Sequence, residues 1–198
     1  MPDSDELLEL LQDAEDRDQL ATARVLYEAI LDKETDQAAL QVLYAANLIE
    51  LGDLTTAEQV ISQIDEIEEQ ETQAGLLTQK ANLARACADF SKAESFYREA
   101  HKLVDDGGEN LLNAAFMASQ QGETARAEYL LREAVKIESE FQCDAWFNLA
   151  GNLISQQRYD EARKCYETVL TMEPDHGLAQ EWLEDLDQRE EMLQDSSV

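Results

Sequence analysis

Apolar positions recur along this chain with the period of an amphipathic helix, most clearly between Cys143 and His176. There Trp146, Leu149, Ala150 and Leu153 fall on one helical face. After a polar break at Gln156-Gln157, Tyr159, Ala162, Tyr166, Val169 and Leu170 repeat the spacing, and Pro174 closes the second run. Two apolar stripes separated by so short a break predict a hairpin of antiparallel helices whose stripes face each other.

The same frame, stepped backwards, predicts four more hairpins over residues 4–37, 38–71, 74–107 and 108–141, ahead of the one at 143–176. The first carries Leu7, Leu10, Leu11 and Ala14, then Ala23, Tyr27 and Ile30. The second carries Tyr44, Ala45 and Leu48, then Ala57, Ile61 and Ile64. Leu77, Ala81, Ala84, Ala93, Tyr97 and Ala100 mark the third, and Leu111, Ala114, Ala115, Ala118, Ala127, Leu131 and Ala134 the fourth. One column is constant: Ala23, Ala57, Ala93, Ala127 and Ala162 occupy the same place in each second helix. Two antiparallel helices approach closely only where one side chain is small, so the column has a packing reason. Gly52 and Gly122 stand where a helix must end and turn. A last helix over 177–193, with Leu178, Ala179, Trp182, Leu183 and Leu186 on one side, suits a terminal cap with an apolar inner face.

The 34-residue pattern W-x2-L-G-x2-Y, then A-x3-F, then P resembles the tetratricopeptide repeat. In residues 143–176 the family's Gly is Ala150, its Tyr is Leu153 and its Phe is Tyr166. The resemblance implies an all-α protein: a right-handed superhelical solenoid of five helix hairpins plus a C-terminal capping helix, forming one domain over residues 1–198. It also implies a non-enzymatic role, with the first helix of each hairpin lining a concave face that binds extended peptides or helices.

Charge narrows the partners. The chain has 44 Asp and Glu against 15 Lys and Arg, a net charge of −29. That argues against nucleic acid, whose phosphates need a cationic footprint, and against docking on an anionic membrane surface. The acidic start MPDSDELLEL lacks the features of a secretion signal, and no window has the apolar length of a membrane span. A cytoplasmic protein is expected, with Cys87, Cys143 and Cys165 reduced and serving as small buried apolar residues. The acidity is uneven: residues 1–73 hold 20 acids and 3 bases, whereas residues 74–107 hold 5 of each. Either this is a solvated surface that keeps the chain soluble, or it draws in a basic partner segment.

Carried onto this chain, the family's concave face contains Asp5, Leu8, Val42, Leu43, Thr78, Gln79, Asn82, Leu112, Asn113, Phe116, Asp144, Phe147 and Asn148. Leu8, Val42, Leu43, Leu112, Phe116 and Phe147 are not needed for the hairpin stripes, and apolar groups left on a concave surface suggest a partner. Asn82, Asn113 and Asn148 offer two-way amide contacts to the backbone of a bound peptide. The family's carboxylate clamp, which holds the acidic tail of a chaperone, needs three cations. At the matching positions Thr78, Asn82, Asn113, Asp144 and Asn148 the cations are missing, and Asp144 has the wrong sign.

Catalytic chemistry has little support. His101 and His176 are isolated, and no Gly-rich phosphate loop, H-E-x-x-H or calcium-loop pattern occurs, so no cofactor or metal is expected. The sequence therefore predicts an adaptor or chaperone-like module that binds a segment of another protein, apolar and basic in character, through Leu43, Thr78, Gln79, Asn82, Leu112, Asn113, Phe116, Asp144, Phe147 and Asn148. The alternative is a self-assembling scaffold whose groove or end helices form homo-oligomers.

Overall fold

The computed structural model describes residues 4–33, 38–64 and 67–195, together with the backbone but not every side chain of the last few. Its described residues form eleven helices: α1 (Ser4–Asp16), α2 (Leu20–Leu31), α3 (Ala38–Glu50), α4 (Leu54–Gln63), α5 (Gln70–Ala86), α6 (Phe90–His101), α7 (Glu109–Gln120), α8 (Thr124–Ala134), α9 (Gln142–Ser155), α10 (Tyr159–Met172) and α11 (Gly177–Asp195). The five hairpins are α1–α2, α3–α4, α5–α6, α7–α8 and α9–α10. The chain forms two compact units, residues 1–104 with α1–α6 and residues 105–198 with α7–α11.

Each hairpin is closed at the alanine column. Ala23, Ala57, Ala93, Ala127 and Ala162 are all essentially inaccessible to solvent. Around them the first unit packs Leu7, Leu11, Tyr27, Ile30, Tyr44 and Leu48 in one cluster, where the Tyr27 and Tyr44 rings stack 5.6 Å apart. The second unit buries Leu111, Met117, Leu131, Leu149, Leu153, Tyr166 and Val169.

The turns are equally regular. Each passes through one left-handed residue, at Asp18, Gly52, Ala88, Gly122 and Gln157. In every turn the next residue donates its backbone N–H back into the first helix: Gln19 to Ala14, Asp53 to Leu48, Asp89 to Ala84, Glu123 to Ala118 and Arg158 to Leu153, at 2.8–3.0 Å. This is the Schellman closure, which satisfies carbonyls that a helix end would otherwise leave bare. Gly52 and Gly122 were legible signals for it; Asp18, Ala88 and Gln157 adopt the same conformation against their steric preference.

The structure corrects several boundaries and core assignments. α5 begins at Gln70, four residues ahead of the frame at Ala74, because Gln70–Gln73 are polar but helix-compatible and their solvent-facing turn leaves no apolar mark. Leu10 is 48% exposed rather than part of the first stripe. Val42 is not on an open inner face but buried with Ala45, Ile61 and Leu76, since α3 packs against α5 as well as α4. Cys143 and Cys165 are buried and unbridged as expected, whereas Cys87 is exposed. Among the described side chains of α11, only Ala179 and Leu186 are buried; Leu178 and Trp182 remain exposed. That helix is fastened to α10 by Arg163, which pairs with Asp187 at 2.5 Å, and by Arg189, whose guanidinium lies 4.2 Å from the Tyr159 ring centre. The repeat boundary at Gln37 and the last three residues lie outside the described residues.

Ala88 is an exposed non-glycine residue at φ +59. Replacing it with glycine removes a left-handed cost of about 1–2 kcal/mol and adds part of that back as unfolded-state entropy. Ala88→Gly is therefore expected to stabilise the chain by about 0.5–1 kcal/mol, measured as a higher urea midpoint at unchanged slope.

Candidate functional site

In the second unit the first helices of the hairpins, α7 and α9, are separated by a groove of about 580 Å3. Leu112, Asn113 and Phe116 of α7 line it, with Phe147, Asn148, Gly151 and Asn152 of α9, Tyr166 of α10 and Trp182 of α11. Spacing explains the gathering: Leu112, Asn113 and Phe116 are one turn apart on one face of α7, as are Phe147, Asn148 and Gly151 on α9. Phe116 is 54% exposed and Trp182 39%. Five of the residues expected from sequence, Leu112, Asn113, Phe116, Phe147 and Asn148, thus share one groove.

Their roles there differ. The side chain of Asn113 has no hydrogen-bond partner among the described residues, and it lines the groove. Asn148 donates through Nδ2 to the Asp144 carbonyl at 2.9 Å, which leaves its Oδ1 as an acceptor. Phe147 is half buried: it stacks on His176 at 5.0 Å and meets the Tyr166 ring edge-on at 5.5 Å. It therefore also serves packing, contrary to the expectation that it was free of it. His176, isolated in sequence, finds its role here, and its Nδ1 accepts from the Ala179 N–H at the start of α11 at 3.2 Å. Asp144 is exposed but does not line the groove.

Tyr166 and Trp182 were read from sequence as core and cap residues only. Their rings lie nearly parallel, with centres 6.2 Å apart, at the groove's edge. The signal that could have found Trp182 was the width of the α11 apolar stripe, which holds more large residues than one contact with α10 can bury.

In the first unit the expected residues are not gathered in this way. Leu43 is 53% exposed and lines a small pocket beside the α1–α2 turn. Thr78, Gln79 and Asn82 are half buried along α5. Asn82 accepts from the Tyr97 hydroxyl at 2.5 Å and donates to Gln79 Oε1 at 3.1 Å. Its amide is tied into the hairpin, which corrects its assignment as an open peptide contact.

A polar chain holds the wall of the second-unit groove. Asn152 donates to the Thr124 carbonyl at 3.3 Å and accepts from Gln156 at 2.7 Å; Gln156 also donates to Glu128 at 3.0 Å. Glu128 further pairs with Arg158 at 2.6 Å and Arg132 at 2.8 Å, and Arg158 grips Glu161 with two bonds of 2.7 Å. Burial pushes the Glu128 carboxyl up, but hydrogen bonds from Gln156, Arg158 and Arg132 outweigh it and hold the group at about 2. Burial, aided by the neighbouring charge of Glu173, raises the Cys143 thiol to about 11, so it stays protonated at neutral pH. Among the described residues, no group of three or more His, Cys, Asp or Glu is placed to hold a metal ion, and no helix is long and apolar enough to cross a membrane.

A family model described as Tetratricopeptide repeat matches residues 143–176, and a second of the same description matches residues 14–83, together more than half of the chain. The chain belongs to the tetratricopeptide repeat family. Solved structures agree on the fold. MamA is 14% identical with a TM-score of 0.68, covering 83% of this chain and 94% of its own. YrrB, a TPR protein with an unusual peptide-binding site, is 16% identical with a TM-score of 0.64, covering 83% of this chain and 84% of its own. The first TPR of Spaghetti (RPAP3), bound to the HSP90 peptide SRMEEVD, is 23% identical with a TM-score of 0.54, covering 60% of this chain and 96% of its own. At these identities the likeness concerns fold alone. No curated protein matches the chain.

The Glu128 network gives this tetratricopeptide protein a pH signature. Its carboxyl titrates lower folded than unfolded, so its contribution is complete above about pH 4.5 and disappears as pH falls toward 2. Glu128→Gln is expected to lower stability at pH 7 by about 1 kcal/mol after solvent screening. The difference from wild type should vanish by about pH 2, read from urea unfolding at a series of pH values.

Proposed function

We propose that this protein is a non-enzymatic interaction module, an adaptor or chaperone-like protein, that holds a segment of a partner protein against its first-helix faces. The segment is apolar, with basic residues beside the apolar ones. One observation carries the reading: Phe116 stands 54% exposed in the second-unit groove, which it lines together with Trp182 and with Asn113, whose amide has no partner among the described residues. A phenyl ring in water beside a free amide is what a peptide-binding surface requires, one group to bury an anchor and one to fix the register of a backbone. The family supports a protein as the ligand, and YrrB and the RPAP3 repeat are peptide-binding members of it by their descriptions. The absence of cations at Thr78 and Asp144 disfavours an acidic carboxylate tail, and the 20 acids of residues 1–73 favour a basic client.

The test is affinity capture from host lysate, followed by binding to the segment mapped in the captured protein. Phe116→Ala is expected to weaken that binding about tenfold and Asn113→Ala about threefold to tenfold, with unfolding transitions unchanged because neither side chain is a core member. Wild-type binding by both variants would remove the groove from the reading.

Self-assembly is the second reading, and the exposure of Leu178 (55%) and Trp182 on α11 is what favours it. Static light scattering across a concentration series discriminates: a scaffold shows a rising mass that falls back in Leu178→Ser/Trp182→Ser, whereas an adaptor stays monomeric throughout.

A further inference from the structure

The inner side of α3 carries a second, chemically different pocket, of about 230 Å3, in the first unit. α1 supplies Glu15, the turn after it Asp18, and α3 Leu43, Ala46, Asn47 and Glu50. We propose that this pocket binds a basic side chain, arginine or lysine, of a partner segment. The proposal rests on the reading above that the protein binds a segment of another protein, and it names the residues that recognise the basic character.

Three observations converge. Asn47 is 6% exposed, and its Oδ1 is shut off from water with no donor within the chain, while its Nδ2 is engaged by the Leu20 carbonyl at 3.1 Å. A buried acceptor without a donor is costly, and the uncompensated negative end of its dipole in the pocket wall favours a cationic occupant. The pocket's three carboxylates are also uncompensated. Among the described residues, Asp18 and Glu50 make no ion pair or hydrogen bond through their side chains, and Glu15 meets only the Tyr27 hydroxyl. The arginines of α1–α2 are committed elsewhere, Arg17 to Asp13 at 2.8 Å and Arg24 to Glu28 and Asp53 at 3.0 Å. Finally, the wall is mixed: Leu43, 53% exposed, and Ala46 offer an apolar shelf to a methylene stem whose charged head would lie among the acids. The charges of Glu15 and Glu50 both reach the Tyr27 phenol and help burial raise its pKa, so they act on one point. An acidic or purely apolar occupant would leave the carboxylates and Oδ1 unmatched.

A positional-scanning library of acetylated, amidated nonapeptides, each pool with one fixed residue, tests this against the full chain at low and high salt. Pools fixed as Arg or Lys are expected to bind about fivefold tighter than pools fixed as Gln, with the advantage lost at high salt. Asp18→Asn/Glu50→Gln removes two charges without changing shape, and asparagine suits the left-handed conformation at position 18. In that variant the Arg and Lys preference should fall below about twofold, while pools fixed as Phe or Leu bind as before and lose affinity only in Phe116→Ala. Equal binding of Arg, Lys and Gln pools by wild type, or a preference that survives the double variant, overturns the inference. If Phe and Leu pools bind through Phe116 while basic ones do not, this inference alone fails. If no pool binds, the reading of a segment-binding module fails with it.

Discussion

The close approach of two helices at Ala23, Ala57, Ala93, Ala127 and Ala162 is the constraint on which the remaining structure depends. A larger side chain at any of them would force the helices apart or off their rotamers. With the helices held together there, large residues one turn away, such as Tyr27, Tyr97 and Tyr166, fill the flanking space completely. The same approach fixes how far the turn must travel. Every turn is accordingly a Schellman closure through one left-handed residue, and three of the five accept a non-glycine residue there. Local strain is tolerated because packing on both sides determines the turn.

Polar groups are then used twice over, as fasteners between helices and as surface. Asn47 and Asn152 hold equivalent places in their hairpins, five residues before the left-handed residue. Each donates to the carbonyl of the first residue of the preceding hairpin's second helix, Leu20 and Thr124. They fix the register of one hairpin against the next within each unit. Asn152 reaches full pairing through Gln156 and Glu128, whereas the oxygen of Asn47 is left without a donor. The same structural device is therefore satisfied in one unit and incomplete in the other, and the incomplete one lies among carboxylates that pair with no cation among the described residues.

The hairpins were legible in the sequence because burial of a helical face leaves a period that needs no knowledge of the partner surface. What stayed hidden depended on that partner surface. Val42 reads as spare on α3 until α5 is placed against it, and Asn82 reads as an open amide until Tyr97, fifteen residues later, donates to it. Trp182 reads as a cap contact alone until its ring is seen stacked on Tyr166 at the groove's edge and still 39% exposed. Of the candidate site, the α7 and α9 residues were recoverable because one helical face carries them together; Tyr166 and Trp182 come from other elements, and no spacing connects them to α7.

Charge separates the two units in a way that composition alone could not show. In the second unit Arg132 and Arg158 are each shared between Glu128 of α8 and Glu161 of α10, and Arg163 of α10 pairs with Asp187 and Glu190 of α11, so part of the negative charge is neutralised where it also fastens structure. In residues 1–73 three bases face 20 acids, and two of those bases, Arg17 and Arg24, are already paired. Among the described residues these pairs compensate only part of that surplus. A uniformly solvated surface would spread such a surplus evenly, yet Glu15, Asp18 and Glu50 border one apolar-walled pocket with a buried acceptor in its wall. Long-range attraction would bring a basic segment toward this unit and the pocket would give its charge a place, so the imbalance and the geometry support one chemical preference.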